Sequence, residues 1–250
     1  MIRDFGGATI FRNVYKQINA DYIYMADTRN APYGLKTIEE VRILTENCMK
    51  ELIFKGCNII VVACNTATSA AIEYLREKYP DVIFIGTEPA IKPALEKNNN
   101  KKVILTGTSL TLKGERLKKL LQYLEAEDKV TLLALDKLVE YSDFNEKIEY
   151  DLANKYLIDK FSKLNLQGYS GIVLGCTHFP IFKNEIRKIL PETIEIYDSA
   201  IGITNNLKRI IDKKFANYET TDKNVELVLT SYNKKFEDKF FDMLNYTNEN

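Results

Sequence analysis

The chain has 250 residues, a length that fits one large α/β domain or two domains of about 100–150 residues. Its 35 basic residues balance 35 acidic residues, and the zero formal charge excludes the basic surplus typical of proteins that bind nucleic acid or anionic membranes. A hydrophobic content of 45% excludes wholesale disorder. The apolar runs are too short to cross a bilayer and the first residues do not resemble a signal peptide, so we expect a soluble, cytoplasmic protein.

Apolar, β-branched runs alternate with segments of helical period along the chain. The runs predict strands over residues 21–25, 58–63, 82–86, 103–106, 130–135, 171–174, 194–197 and 225–229. Apolar residues recur at helical spacing in two of the intervening segments, at Val41, Leu44, Cys48 and Leu52 and again at Leu117, Leu120, Leu121 and Leu124. Apolar strands that alternate with amphipathic helices are typical of parallel sheets covered on both faces. The predicted fold class is therefore α/β.

Two of the predicted strands end in a cysteine that small hydrogen-bonding residues follow at once. The strand 58–63 leads into Cys64-Asn65-Thr66, and the strand 171–174 leads through a glycine into Cys176-Thr177-His178. In open α/β sheets the carboxyl ends of the strands form the edge that binds ligands. Backbone amides at the start of a following helix can hold a carboxylate there and favour the thiolate form of a cysteine. The two turns are therefore candidate sites of chemistry.

The four cysteines allow several interpretations. They are too few for a disulfide scaffold, and with one histidine and no close cysteine pair we expect no metal site. Free cysteine is often simply buried, which is the interpretation we keep for Cys48 and Cys57. A cysteine hydrolase needs only one nucleophilic thiol, and a redox dithiol usually has the spacing Cys-x-x-Cys. A proton transfer that inverts a stereocentre needs one base on each face of a planar intermediate, and two thiols can fill both roles.

Short motifs along nearly the whole chain resemble those of one known family. In chain order they are Gly6-Gly7-Ala8-Thr9, Ala26-Asp27-Thr28, Ala31-Pro32-Tyr33-Gly34, Ala63-Cys64-Asn65-Thr66-Ala67, Gly86-Thr87-Glu88-Pro89, Gly107-Thr108, Leu138-Val139-Glu140 and Gly175-Cys176-Thr177-His178-Phe179-Pro180. Each motif alone is weak, but their order and spacing together are highly specific. The chain resembles the glutamate racemases of the cofactor-independent aspartate/glutamate racemase superfamily.

The resemblance implies a role for each matching residue. Cys64 and Cys176 correspond to two catalytic acid/bases, one on each face of the glutamate α-carbon, and His178 to the group that assists Cys176. Asp27 and Glu140 match acidic positions near the family's catalytic centre. The residues that match positions in contact with the amino acid are Tyr33, Gly34, Asn65, Thr66, Thr177 and His178. Further candidates, for binding the substrate carboxylates, are Thr108 and Thr111.

The resemblance also implies an architecture of two similar α/β domains with parallel-type sheets and the active site in the cleft between them. Residues 1–90 form the first expected domain, which residues 194–250 complete, and residues 91–193 form the second. A polar run at 98–102 indicates a boundary nearby.

The expected activity is that of a cofactor-independent isomerase that needs no pyridoxal phosphate. It interconverts L- and D-glutamate and supplies D-glutamate for peptidoglycan, and so for cell wall biogenesis and cell shape. The expected partners are the small-molecule substrate glutamate and, because the family commonly dimerises, a second copy of the chain. Neither nucleic acid nor a membrane is expected as a partner.

Two alternatives stay open. One is a racemase of aspartate or another acidic amino acid. The other is a catalytically impaired, amino-acid-binding homologue, because the family opens with a strand ending in Asp-Ser-Gly, whereas here Gly6-Gly7 follows Met1-Ile2-Arg3-Asp4-Phe5. Asp4 lies several ångströms from the matching position. On this interpretation a chain extended by such a strand is expected to be more stable and more active.

Overall fold

Parallel pairing of apolar strands organises the fold, and the computed structural model describes residues 5–97, 101–143, 148–215 and 223–245. The strands are β1 (Tyr22–Ala26), β2 (Ile59–Val62), β3 (Ile83–Gly86), β4 (Lys102–Gly107), β5 (Val130–Ala134), β6 (Tyr169–Leu174), β7 (Glu195–Tyr197) and β8 (Val225–Leu229). Each strand predicted from the sequence is present with small shifts at its ends, so the prediction of the strands and of the α/β class is confirmed.

Helices connect the strands. They are α1 (Gly7–Gln17), α2 (Ile38–Phe54), α3 (Asn65–Lys78), α4 (Ile91–Glu96), α5 (Ser109–Leu112), α6 (Glu115–Tyr123), α7 (Lys137–Asp143), α8 (Tyr150–Phe161), α9 (Lys183–Ile189), α10 (Ala200–Lys214) and α11 (Lys234–Asn245). Short 3-10 helices lie at Tyr33–Leu35, Leu166–Gly168 and Phe179–Phe182.

The chain divides into two compact units. Met1–Thr87 and Ala200–Asn250 form the first, in which β1 pairs with β8 and β2 pairs with β3. Glu88–Ser199 form the second, whose sheet has the strand order β5-β4-β6-β7. We expected the segment that starts at residue 194 to belong to the first domain. This expectation is wrong for β7, because this strand pairs in parallel with β6 and completes the sheet of the second unit. The chain returns to the first unit at Ala200 instead.

Apolar side chains on opposite faces of the second sheet enter two separate cores. Ile104 and Ile172 face one core, which includes Leu157 of α8. Val103 faces the other, which includes Leu117 of α6. Because successive side chains of a strand point to opposite faces, a sheet covered on both sides needs apolar residues at successive positions. This requirement explains the unbroken apolar runs of the sequence.

In the first unit, α1 lies between an aliphatic and an aromatic core. On one side it packs with Val61 of β2 and Leu207 of α10. On the other, Phe11 of α1 stacks on Phe240 of α11 with ring centroids 5.7 Å apart, and Tyr24 of β1 lies 4.5 Å from the same ring. The helix α11 near the end of the chain therefore stabilises β1 directly.

The helical stripes predicted from the sequence are largely the buried faces. Val41, Cys48 and Leu52 are buried on α2, as is Met49, whereas Leu44 is only half-buried. On α6, the leucines at 117 and 121 are buried and those at 120 and 124 are half-buried.

The expectation about a strand ahead of Gly6 falls on residues 1–4, which lie outside the described residues, as do residues 98–100 of the polar run. Within the described ranges, no helix combines the length and the apolar character that crossing a membrane requires. The same ranges contain no group of three or more His, Cys, Asp or Glu side chains that could hold a metal ion.

Glu46 of α2 is held by donors from α3 and the residue that follows it. Its carboxylate accepts hydrogen bonds from Lys78 Nζ at 2.8 Å, the Tyr79 hydroxyl at 2.8 Å and the Tyr74 hydroxyl at 2.9 Å. These bonds lower the pKa of Glu46 from 4.5 to about 2, and the bond from Lys78 has the largest effect. A carboxyl group with a lowered pKa stabilises the fold above its unfolded pKa and loses this contribution as the pH falls through its folded pKa.

We expect Glu46→Gln to lower the free energy of unfolding at neutral pH by on the order of 1–2 kcal/mol, since solvent screens part of the interaction. The difference from the unmodified chain should shrink as the pH falls from about 4.5 towards about 2. Urea unfolding across this range measures it. Glu73→Gln, which removes an exposed carboxylate of α3, is the control and should show only a small difference at neutral pH. A Glu46→Gln difference that stays constant down to about pH 2 would contradict the assignment.

Candidate active site

The first cysteine turn joins β2 to α3. Cys64 has an extended backbone and is the N-cap residue of α3. Its Sγ accepts a hydrogen bond from the backbone N–H of Ala67 at 3.0 Å, and its side chain is buried. Because unpaired N–H groups give a helix N-terminus a partial positive charge, this position favours negative charge on the sulfur. The local fold therefore supports a thiolate at Cys64.

The strand end that delivers Cys64 is held by two threonines to which the sequence analysis gave no role. The hydroxyls of Thr68 and Thr87 both donate to the carbonyl of Val62, at 3.2 Å and 2.7 Å. The N–H of Thr87 donates to Thr68 Oγ1 at 2.9 Å. These bonds tie the carboxyl ends of β2 and β3 to the first turn of α3. The signal in the sequence would have been the threonine that directly follows β3.

Asn65 lies beside Cys64, and the described residues offer its side chain no hydrogen-bond partner. The residue is buried, and neither Oδ1 nor Nδ2 has a hydrogen-bond partner among the described residues. A buried polar group without a partner costs about 1–3 kcal/mol, and such groups in native structures call for an explanation. Thr66, also buried, follows in the same helical turn. An amide in this state at a helix N-terminus is suited to bind a polar ligand.

Asp27 organises the loop that follows β1. Its Oδ2 accepts a hydrogen bond from the Tyr33 hydroxyl at 2.7 Å, and its Oδ1 accepts one from the Thr230 hydroxyl at 2.7 Å. Asn30 Nδ2 donates to both oxygens, at 2.9 Å and 3.1 Å. A carboxylate offers about four lone-pair sites, so these donors occupy them. The geometry supports a positioning role for Asp27, which acts on the site through Tyr33.

Tyr33 connects this loop to Cys64. Burial is the largest of the effects that raise the pKa of Tyr33 far above its usual value, and negative charge at Asp27, the hydrogen bond to Asp27 and negative charge at Cys64 add to it. Tyr33 therefore keeps its proton at neutral pH and remains a donor. Burial also raises the pKa of Cys48 to about 12, which supports a packing role for that cysteine.

The second cysteine turn follows β6 and gains its polar support from a side chain. Cys176 Sγ lies 3.6 Å from Nδ1 of His178, and both residues are buried, as is Thr177. A 3-10 helix follows this turn, and α9 begins only at Lys183. An imidazole can exchange a proton with a neighbouring thiol, which backbone amides cannot do. The two thiols are thus supported by different groups.

The remaining candidates of the second unit differ in their surroundings. Thr108 caps α5, and its hydroxyl donates to that of Thr111 at 2.9 Å; both residues are buried. Asp136 holds this turn, since it accepts bonds from the N–H and the hydroxyl of Ser109 at 2.7 Å and 2.6 Å. Glu140, in contrast, is exposed on α7 and makes no hydrogen bond or ion pair with another described residue.

Known proteins are similar to this chain in sequence and fold. The family model described as Asp/Glu/Hydantoin racemase matches residues 6–203. A glutamate racemase of Lachnospira eligens is 47% identical over 197 residues, which cover 78% of this chain and 74% of that protein. The chain belongs to this racemase family. A glutamate racemase of Campylobacter curvus is 41% identical over 209 residues, which cover 81% of this chain and 78% of that protein.

The racemase fold is confirmed by a solved structure. The crystal structure of a glutamate racemase isoform from Bacillus anthracis superposes with a TM-score of 0.88 at 25% sequence identity, covering 98% of this chain and 93% of that chain. The resemblance noted in the sequence is therefore confirmed at the level of family and fold, whereas the roles of individual residues stay predictions.

Gly175 provides a test of how this racemase positions Cys176. Its N–H donates to the carbonyl of Thr106 at 2.9 Å, and a Cβ at this position would lie 2.3 Å from the same oxygen. We expect Gly175→Ala to separate β6 from β4 at this point, lower stability by about 1–3 kcal/mol and reduce racemase activity. Thermal unfolding and racemisation rates measure both effects. Gly168→Ala is the matched control, because a Cβ there meets no atom within 4 Å. Equal behaviour of the two variants would refute this reading of Gly175.

Proposed function

We propose that this racemase interconverts L- and D-glutamate by proton transfer between the substrate α-carbon and the thiols of Cys64 and Cys176. The observation that carries the proposal is the site around Cys64. It combines a buried sulfur that accepts the Ala67 N–H with the amide of Asn65, which has no partner in the described part of the chain and lies at the same helix N-terminus. The naming of its relatives as glutamate racemases supports glutamate as substrate. The product D-glutamate is a component for peptidoglycan synthesis.

Each half of the reaction moves one proton. In one direction Cys64 as thiolate takes the α-proton and becomes a thiol, while the C–H electron pair stays on the substrate as a carbanion. Cys176 as thiol then donates its proton to the opposite face of the α-carbon and becomes a thiolate. The reverse direction exchanges the roles of the two sulfurs. One proton is removed and one is returned, so the configuration inverts without oxidation or reduction.

Stabilisation of the developing negative charge follows from the donors around Cys64. The N-terminus of α3 supplies backbone N–H groups, and Asn65 supplies an amide with no competing partner among the described residues. The hydroxyl of Tyr33 donates its one proton to Asp27, which fixes the loop that carries Tyr33 and Gly34. Fixed donors of this kind lower the energy of an anionic transition state without reorganising during the reaction. We assign these residues to binding of the substrate carboxylate and amino group.

The second unit contributes the other acid/base and further polar contacts. His178 accepts or returns a proton at Cys176, and Thr177 contacts the substrate. Thr108 and Thr111 bind a substrate carboxylate through hydroxyls that hydrogen bonding already orients. We also propose that Glu140 lies near the reaction centre, and this proposal rests only on its motif. A cytoplasmic site of action and a homodimer complete the proposal, and both rest on family membership.

We expect Cys64→Ser and Cys176→Ser each to lower racemisation by about 10³-fold or more, because a serine hydroxyl is far less acidic than a thiol and cannot replace the thiolate base. The measurement is the change in optical rotation starting from each enantiomer, together with exchange of the α-proton in D₂O. Each variant should still exchange the α-proton of one enantiomer through its remaining thiol.

Cys57→Ser, which changes a half-buried cysteine outside both turns, is the control and should keep turnover. Near-normal racemisation in either turn variant would eliminate the two-base mechanism. Exchange with aspartate but not glutamate in the unmodified chain would identify the other acidic amino acid as substrate. If the α-proton of neither glutamate nor aspartate exchanges, the chain is a binding protein and not a racemase of these amino acids.

His178→Asn should lower kcat by about tenfold or more in the direction that uses Cys176 as the base, and less in the other direction. The reason is that an asparagine can hydrogen-bond but cannot take a proton from the thiol. Because the equilibrium between enantiomers is fixed, kcat/KM must fall equally in both directions, so the asymmetry in kcat is matched by an equal asymmetry in KM. Initial rates at saturating L- and D-glutamate measure it. Equal losses of kcat would speak against the pairing of these two residues.

A further inference from the structure

The segment that follows β8 is bonded to the loop that follows β1. Parallel pairing brings Leu229 beside Ala26, so the chains that leave the two strands start side by side. The N–H of Thr230 donates to the carbonyl of Ala26 at 3.0 Å, which extends the ladder by one bond. Thr28 and Ser231 then exchange two bonds: the Thr28 hydroxyl donates to the Ser231 carbonyl at 2.6 Å and accepts from the Ser231 N–H at 3.1 Å.

Thr230 has the most central contacts of this segment. Its hydroxyl donates to Oδ1 of Asp27 at 2.7 Å and accepts the backbone N–H of Arg29 at 3.1 Å. One hydroxyl therefore fixes both the carboxylate and the backbone of the loop. A hydroxyl that donates to a charged acceptor forms one of the stronger hydrogen bonds of proteins. The contact joins residues 203 positions apart in the sequence.

The carboxylate transmits this restraint to the substrate-binding loop. Asp27 accepts the Tyr33 hydroxyl on its other oxygen at 2.7 Å, and Tyr33 lies close enough to Cys64 for negative charge there to raise its pKa. Thr230 itself lies outside the residues that match the family model, which end at 203. Its hydroxyl bonds to Asp27 and to the Arg29 N–H, and Asp27 in turn accepts the hydroxyl of Tyr33.

The structure assigns Thr230 as a positioning residue, whose hydroxyl fixes the Asp27–Gly34 loop and so sets the affinity of the site for its amino-acid substrate. The assignment rests on the proposed function of Tyr33 and Gly34 in substrate binding. A loop held by this bond is already ordered before the substrate binds, which lowers the entropy lost on binding. Removal of the hydroxyl should accordingly weaken binding of substrate and transition state alike.

The test compares Thr230→Val, which keeps the shape and removes the hydroxyl, with Thr230→Ser, which keeps the hydroxyl. We expect Thr230→Val to raise KM for glutamate about tenfold with kcat changed less than about threefold, and Thr230→Ser to stay within about twofold of the unmodified chain. In the Tyr33→Phe background, Thr230→Val should raise KM only about twofold further, because the route through Asp27 is already broken. Hydrogen exchange of peptides that contain Arg29 should be about tenfold faster in Thr230→Val.

Thr131→Val is the matched control, since it removes a half-buried hydroxyl that lies 3.0 Å from the Tyr169 hydroxyl in the second unit. Its KM and its loop exchange should be unchanged. An unchanged KM in Thr230→Val, or an equal rise in Thr230→Ser, overturns the assignment. If the unmodified chain does not racemise glutamate, the proposed function fails by itself. Hydrogen exchange then decides the role of Thr230, because unaltered exchange of the loop in Thr230→Val overturns it without any activity measurement.

Discussion

The parallel register of the strands is the constraint on which the candidate chemistry depends. Pairing of β2 with β3 and of β4 with β6 places the carboxyl ends of neighbouring strands side by side, and each cysteine turn begins at such an end. Where the strand pairing ends, other groups must provide hydrogen bonds to the backbone carbonyls. The carbonyl of Val62 accepts two threonine hydroxyls, and the carbonyl of Thr106 accepts the N–H of Gly175. Because a shift of one residue turns each side chain to the opposite face, these bonds decide where the thiols point.

The two thiols occupy matching positions but are supported in different ways. Cys64 is supported by the N–H groups at the start of α3, which are fixed dipoles and do not titrate. Cys176 is supported by the imidazole of His178, a side chain that can take or return a proton. One thiol therefore lies beside fixed dipoles, and the other lies beside a group that can exchange a proton with it. A symmetrical pair of strand ends thus need not give a symmetrical pair of bases.

The sequence predicts local features of this fold well and contacts between distant residues poorly. Apolar β-branched runs identified the strands, and helical spacing identified Cys48 as a packed residue, because both signals lie within a few neighbouring positions. The place of β7 was not predictable in this way, since it depends on which strand it pairs with. The role of Thr230 was not predictable for the same reason, because nothing near it in the sequence indicates that β8 lies beside β1.

Asp27 shows how a resemblance and a geometry supply different information. The motif places an acidic residue near the reaction centre, and the structure then shows that Tyr33, Asn30 and Thr230 fill its acceptor sites. A carboxylate that moves protons needs an oxygen open to the substrate, whereas one that positions a loop needs every oxygen bonded. The bonds favour a positioning role for Asp27, and its catalytic role stays a prediction. Its charge acts through Tyr33, which stays a donor because burial and the nearby negative charges together oppose loss of its proton.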